Sequence, residues 1–145
     1  MASVIRRLVQ ESFANLGGDP ESVSRLCMAT HELLENAAKY SVGESVRLEV
    51  EFDLSGGFIR TQLTNETTPV HRARLRDRIR LLQNAEESSD LYQTLMRRSF
   101  EVGEESGLGL ARICSEGDMA LALEEDENTV TIAAHAHPPR NSAHG

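Results

Sequence analysis

The chain has no tryptophan, two tyrosines and four phenylalanines among 145 residues. Its core must therefore rest on Leu, Val, Ile and Ala. It has two cysteines, Cys27 and Cys114. Their spacing gives no metal site, and both fall in expected helices, where they read as small buried hydrophobes. A reducing, cytoplasmic setting is the expectation. No apolar run approaches the length of a membrane span, and the N-terminus lacks the apolar stretch of a signal peptide, so no membrane partner is expected. Basic charge is also scarce: 15 Lys and Arg against 23 Asp and Glu give a net charge of −8. With so few aromatics, that balance argues against nucleic acid, whose binding draws most of its affinity from phosphate neutralisation.

The charge is unevenly spread. Residues 1–65 carry 6 basic and 9 acidic groups, residues 66–100 carry 7 and 5, and residues 101–145 carry 2 and 9. The basic middle points to an acidic partner more readily than to DNA. Apolar content of 39 % and charged content of 26 % suit one soluble domain with one core.

Val4, Ile5, Leu8, Val9, Phe13 and Leu16 recur at helical spacing before Gly17-Gly18. Asp19-Pro20 then signals a second helix running to about Tyr40. Residues 45–54 alternate, placing Val46, Leu48, Val50, Phe52 and Leu54 on one buried face. After Ser55-Gly56-Gly57, residues 58–65 alternate less cleanly through Phe58, Arg60, Gln62 and Thr64, completing a hairpin. Helices are expected over 70–82, 90–100 and from the glycines near 107 to about 116. A closing hairpin is expected over 119–123 and 129–136, around Glu124-Glu125-Asp126-Glu127-Asn128. The order α-α-β-β-α-α-α-β-β argues for a two-layer α/β sandwich rather than a doubly wound parallel sheet. One domain is expected over 1–137, with 138–145 as a disordered tail.

The segment His31-Glu32-Leu33-Leu34-Glu35-Asn36-Ala37-Ala38-Lys39-Tyr40 is the most informative of the chain. Glu32, Asn36 and Lys39 fall within roughly 60° on the helical wheel, while Val23, Leu26, Leu33, Leu34 and Ala37 take the other side. A carboxylate accepts a proton, an amide oxygen ligates a hard cation, and an ammonium meets phosphate oxygens. The plain alternative is a solvated helix face. Some 70 residues later, Ser106-Gly107-Leu108-Gly109-Leu110 opens a helix, where glycines allow close backbone approach and the helix N-terminus favours an anion.

His31-Glu32 lacks the second histidine of a zinc-protease motif, and no proline follows it as after a phosphoacceptor histidine. The run from His71 to Arg80 has arginine at every second position from Arg72. It reads as a solvated helix, or as a docking surface for an acidic partner.

Residues 32–41 resemble the N-box of the GHKL (histidine kinase-like) ATPase superfamily. Gly107-Leu108-Gly109-Leu110-Ala111-Arg112-Ile113 resembles its glycine box. In size the chain is similar to the anti-sigma-factor serine kinases of that superfamily. The resemblance implies a Bergerat-type fold, a mostly antiparallel mixed sheet with helices on one face. It implies Asn36 as magnesium ligand, Lys39 near the phosphates and Glu32 as the catalytic acid that activates a nucleophile. The backbone around Gly107, Leu108 and Gly109 would cradle phosphate, and residues 66–106 would form a lid. ATP and magnesium are the implied cofactors. The implied activity is phosphoryl transfer to a serine of a regulatory protein partner, such as a sigma factor, an anti-sigma antagonist or another signalling protein, with a homodimer possible. The family's Asp-x-Gly-x-Gly element is absent. Thr64-Asn65-Glu66-Thr67-Thr68-Pro69 stands there instead, with Asn65 as the one candidate for the adenine amine. The alternative implied is a degenerate GHKL fold that holds a protein partner without nucleotide.

Overall fold

The computed structural model describes residues 20–52, 58–84 and 108–136. Helix α1 spans Pro20–Tyr40 and passes directly into strand β1, Ser41–Phe52. Strand β2 (Ile59–Thr67) leads to helix α2 (Pro69–Asn84). Helix α3 (Leu108–Ser115) precedes strands β3 (Ala120–Glu125) and β4 (Thr129–Ala136). The strands form one antiparallel sheet in the order β1-β2-β4-β3. All three helices lie on one face, α1 over β2, α2 over β3 and α3 beside α1. This is the two-layer α/β sandwich expected, although every described strand pair is antiparallel. The expected helices over 4–16 and 90–100 and the tail lie outside the described residues.

Each helix reads locally. Pro20 occupies the first helical turn of α1, where its missing N–H costs nothing. Leu26, Ala29, Leu33 and Ala37 form its buried stripe. Thr68 caps α2: its hydroxyl accepts from the His71 N–H at 3.1 Å, and Pro69 follows at the first position. Leu75, Ile79 and Leu82 of α2 are buried as their spacing requires. Both cysteines are buried. Burial pushes the Cys114 thiol up to about 11.

The first hairpin differs from its sequence pattern in three ways. Strand β1 begins at Ser41 rather than at 45, because its pairing jumps from Ser41↔Thr67 to Val46↔Asn65 and the intervening residues bulge. The buried face of β2 is Ile59, Thr61, Leu63, Asn65 and Thr67, opposite to the Phe58, Arg60, Gln62, Thr64 series. Three polar residues stand on that face because each finds a partner. Thr30 Oγ1 donates to Thr61 Oγ1 at 2.9 Å, Asn65 Nδ2 to Ser41 Oγ at 2.9 Å, and Thr67 Oγ1 to the Tyr40 carbonyl at 2.8 Å. Finally, β1 is an edge strand that the helix layer barely covers. Val46 and Leu48 point toward the helix side yet stay 43 % and 37 % exposed, while Val50 and Phe52 pack against the core.

Helix α2 packs in the helix layer, while residues 85–106 of the expected lid lie outside the described residues. Arg76 grips Glu125 with two bonds of 2.7 and 2.6 Å, Arg72 donates to the Asp126 and Glu127 carbonyls, and Gln83 Nε2 donates to the Leu121 carbonyl at 2.9 Å. The Arg76 bonds hold the Glu125 carboxyl below the ordinary carboxylate range. Two arginines of the basic run therefore tie the helix to the β3–β4 turn.

Candidate functional site

One helix face and one helix start make a cleft. Apolar residues of α1 are committed to the sheet and to α3, so the polar residues of its last two turns are left facing the N-terminal end of α3. A cavity of about 340 Å³ results, lined by Glu32, Glu35, Asn36, Lys39, Tyr40, Leu108, Gly109, Leu110 and Arg112. The acid, amide and amine of α1 thus share one wall, and the glycine-bearing start of α3 forms the other.

The two walls touch. A Cβ built on Gly109 would overlap Glu32 Oε2, so glycine here lets the two walls approach closely. Arg112, one turn further along α3, donates from Nη1 to Glu32 Oε1 at 3.3 Å. It also lies 3.8 Å from Glu116 across one helical turn. The Glu32 side chain is only 11 % exposed, and this guanidinium compensates its charge. Arg112 is a cleft residue that motif reasoning passed over. Its position three residues after Gly109, one turn along the same helix face, was the available signal.

Asn36 Oδ1 is buried and without a hydrogen-bond partner. A buried, unpaired amide oxygen costs about 1–3 kcal/mol unless something meets it. It is a neutral, hard donor of the kind that magnesium accepts, with two carboxylates on the same wall. The residues present therefore fit a divalent cation. Among the described residues no cluster of three His, Cys, Asp or Glu side chains could hold a metal by itself.

Tyr40 closes the cleft at the end of α1, and its ring stacks on His71 of α2 with centroids 3.9 Å apart. The His71 Nε2 is buried and unpaired. Burial first, and the charge of Arg74 second, hold the His71 ring below its ordinary value. His31 lies beside Glu35 at 3.9 Å, on the helix rather than in the cleft wall.

Of the residues singled out by sequence, Glu32, Asn36, Lys39, Leu108 and Gly109 line this cleft. Gly107 lies outside the described residues. Asn65 is not brought to it: buried on β2, its amide nitrogen donates to Ser41 Oγ and to the Glu66 carbonyl at 3.2 Å. No described helix is long and apolar enough to cross a membrane.

No protein-family model and no curated protein sequence matches the chain. Among solved structures it is similar in fold to a chain of the SiaB–SiaC complex from Pseudomonas aeruginosa. The likeness has a TM-score of 0.67 at 14 % identity and covers 93 % of this chain and 83 % of the other. At that identity the likeness shows the architecture alone.

Proposed function

We propose that this chain is a small regulatory protein with a histidine kinase-like ATPase fold, which binds Mg-ATP in the α1–α3 cleft and acts on a protein partner as an anti-sigma-type or partner-switching serine kinase. The single observation that carries the reading is the unpaired, buried Oδ1 of Asn36, a residue lining a cleft whose opposite wall is a glycine-bearing helix start. Asn36 would hold magnesium, and Lys39 would meet phosphate oxygens. Magnesium would supply charge neutralisation along the polyphosphate. Glu32 would accept the proton of the partner's serine hydroxyl as that oxygen attacks. The presence of the structural neighbour in a two-protein complex supports a protein partner for this chain as well.

Isothermal titration of Mg-ATP into the protein tests this reading. Saturable heat that Asn36→Ala removes is the expected result; no heat in the wild type overturns it.

One observation favours a second reading, a degenerate GHKL-fold regulator that holds its partner without nucleotide. Asn65, the one candidate for reading adenine, is buried on β2 and does not line the cleft. The same titration decides between the two readings.

A further inference from the structure

The charges of the cleft raise a question that its sequence motifs do not. Glu32, Glu35 and Lys39 line one wall and Arg112 the other, so a polyphosphate would meet as many carboxylates as cations. Glu32 is nearly enclosed, and the Arg112 guanidinium lies 3.3 Å from its carboxylate. Arg112 itself remains 38 % exposed and lines the cleft, so its guanidinium reaches both the buried carboxylate and the open volume. Guanidinium is the side chain best matched to phosphate as well as to carboxylate, with donors in a planar fork and a charge that never titrates.

We propose that Arg112 is a two-position cation of this cleft, held on Glu32 while the cleft is empty and taken by the phosphate oxygens of an incoming polyphosphate. The inference rests on the nucleotide-binding reading above and adds a phosphate-binding residue to it. A magnesium-bound polyphosphate brings its own cation to the carboxylate wall, so Glu32 is not stranded when the guanidinium leaves.

The test compares the wild-type protein with Arg112→Ala, Arg112→Lys, Glu32→Gln and the double variant Arg112→Ala/Glu32→Gln. Each is titrated calorimetrically with Mg-ATP and Mg-ADP, and each is melted without ligand. The expected result has four parts. Arg112→Ala weakens Mg-ATP binding at least tenfold, and weakens Mg-ADP less. Arg112→Lys recovers part of the loss. Glu32→Gln, which removes the competing carboxylate, tightens Mg-ATP several-fold, but only while Arg112 is present. In the ligand-free melts Arg112→Ala lowers Tm and the double variant restores most of it. An Arg112→Ala affinity within twofold of wild type, or no tightening in Glu32→Gln, overturns the proposal and leaves the nucleotide reading standing. Absence of binding in the wild type overturns both. The lysine variant and the ligand-free melts separate a lost phosphate contact from a failure to fold.

Discussion

Two glycines show how much depends on what a new methyl group would strike. At Gly109 the obstacle is the end of the Glu32 side chain, which can swing aside; at Gly117 it is the Ile113 carbonyl oxygen, 2.6 Å from the added Cβ, and backbone cannot. Gly117→Ala is therefore expected to cost about 1–3 kcal/mol in urea unfolding, as overpacking against a fixed neighbour does. Gly109→Ala is expected to cost less than about 1 kcal/mol, as a small rotamer adjustment does, while displacing Glu32 and weakening whatever the cleft binds. Equal destabilisation by the two would mean that Glu32 is more rigidly held than its pairing with Arg112 implies. Cys114 gives a second expectation at this scale. Its thiol, raised to about 11 by burial, should resist a disulfide reagent at pH 8 in the native protein and react at once when denatured. The cleft residues of α1 were legible in the sequence because helical geometry alone aligns positions 32, 36 and 39. Arg112 was not, since its importance comes from the packing of α3 against α1.

Among the elements, α2 is where sequence and structure part most clearly. Alternating arginines on a helix spread around its circumference, and nothing local distinguishes a solvated face from one facing an acidic turn. Only the return of β3 and β4 beside α2 turns Arg72 and Arg76 into anchors for residues 125–127. Helix α2 also carries His71 against Tyr40, and the burial of His71, with the charge of Arg74, makes the element sensitive to pH. The folded protein holds His71 below its ordinary 6.5, so the unfolded chain takes up a proton first as pH falls. Its contribution is fully present above pH 6.5 and is lost as pH drops through the lower folded value. Urea unfolding at pH 8 and pH 5.5 should show this loss in the wild type. His71→Phe keeps a ring for Tyr40 and removes the titration, so its loss over the same interval should be smaller. An unchanged pH dependence would assign the effect to other groups. The third element-level tie is Arg25, which donates from α1 to the Gly117 and Asp118 carbonyls at 2.6 and 2.9 Å. Asp118 there adopts a φ of 49°, a left-handed turn that these bonds help to hold.

For the molecule as a whole, the extent of the helix layer decides which apolar residues are core. Period-two alternation correctly marked one face of β1, yet a face becomes a core only where a second layer lies on it. The helices cover β2, β4 and β3, leaving the outer part of β1 to the solvent. The fold class and the two hairpins were therefore readable from the pattern. The position of β1 at the edge was not, because strand order depends on which hairpins meet across the sheet. Leu63 sits on β2, 2 % exposed and directly across the pair from Leu48, which is 37 % exposed. The two residues share chemistry, face and strand pairing, and differ only in cover. Leu63→Ala should cost about 2–5 kcal/mol in urea unfolding, the range for a leucine removed from a closed core. Leu48→Ala should cost below about 1 kcal/mol, because most of what it loses is surface already in contact with water. Two equal losses would place β1 inside the core and require something to cover it. The expected inequality instead follows from the described helices, of which α1 lies over β2 and leaves the outer part of β1 exposed.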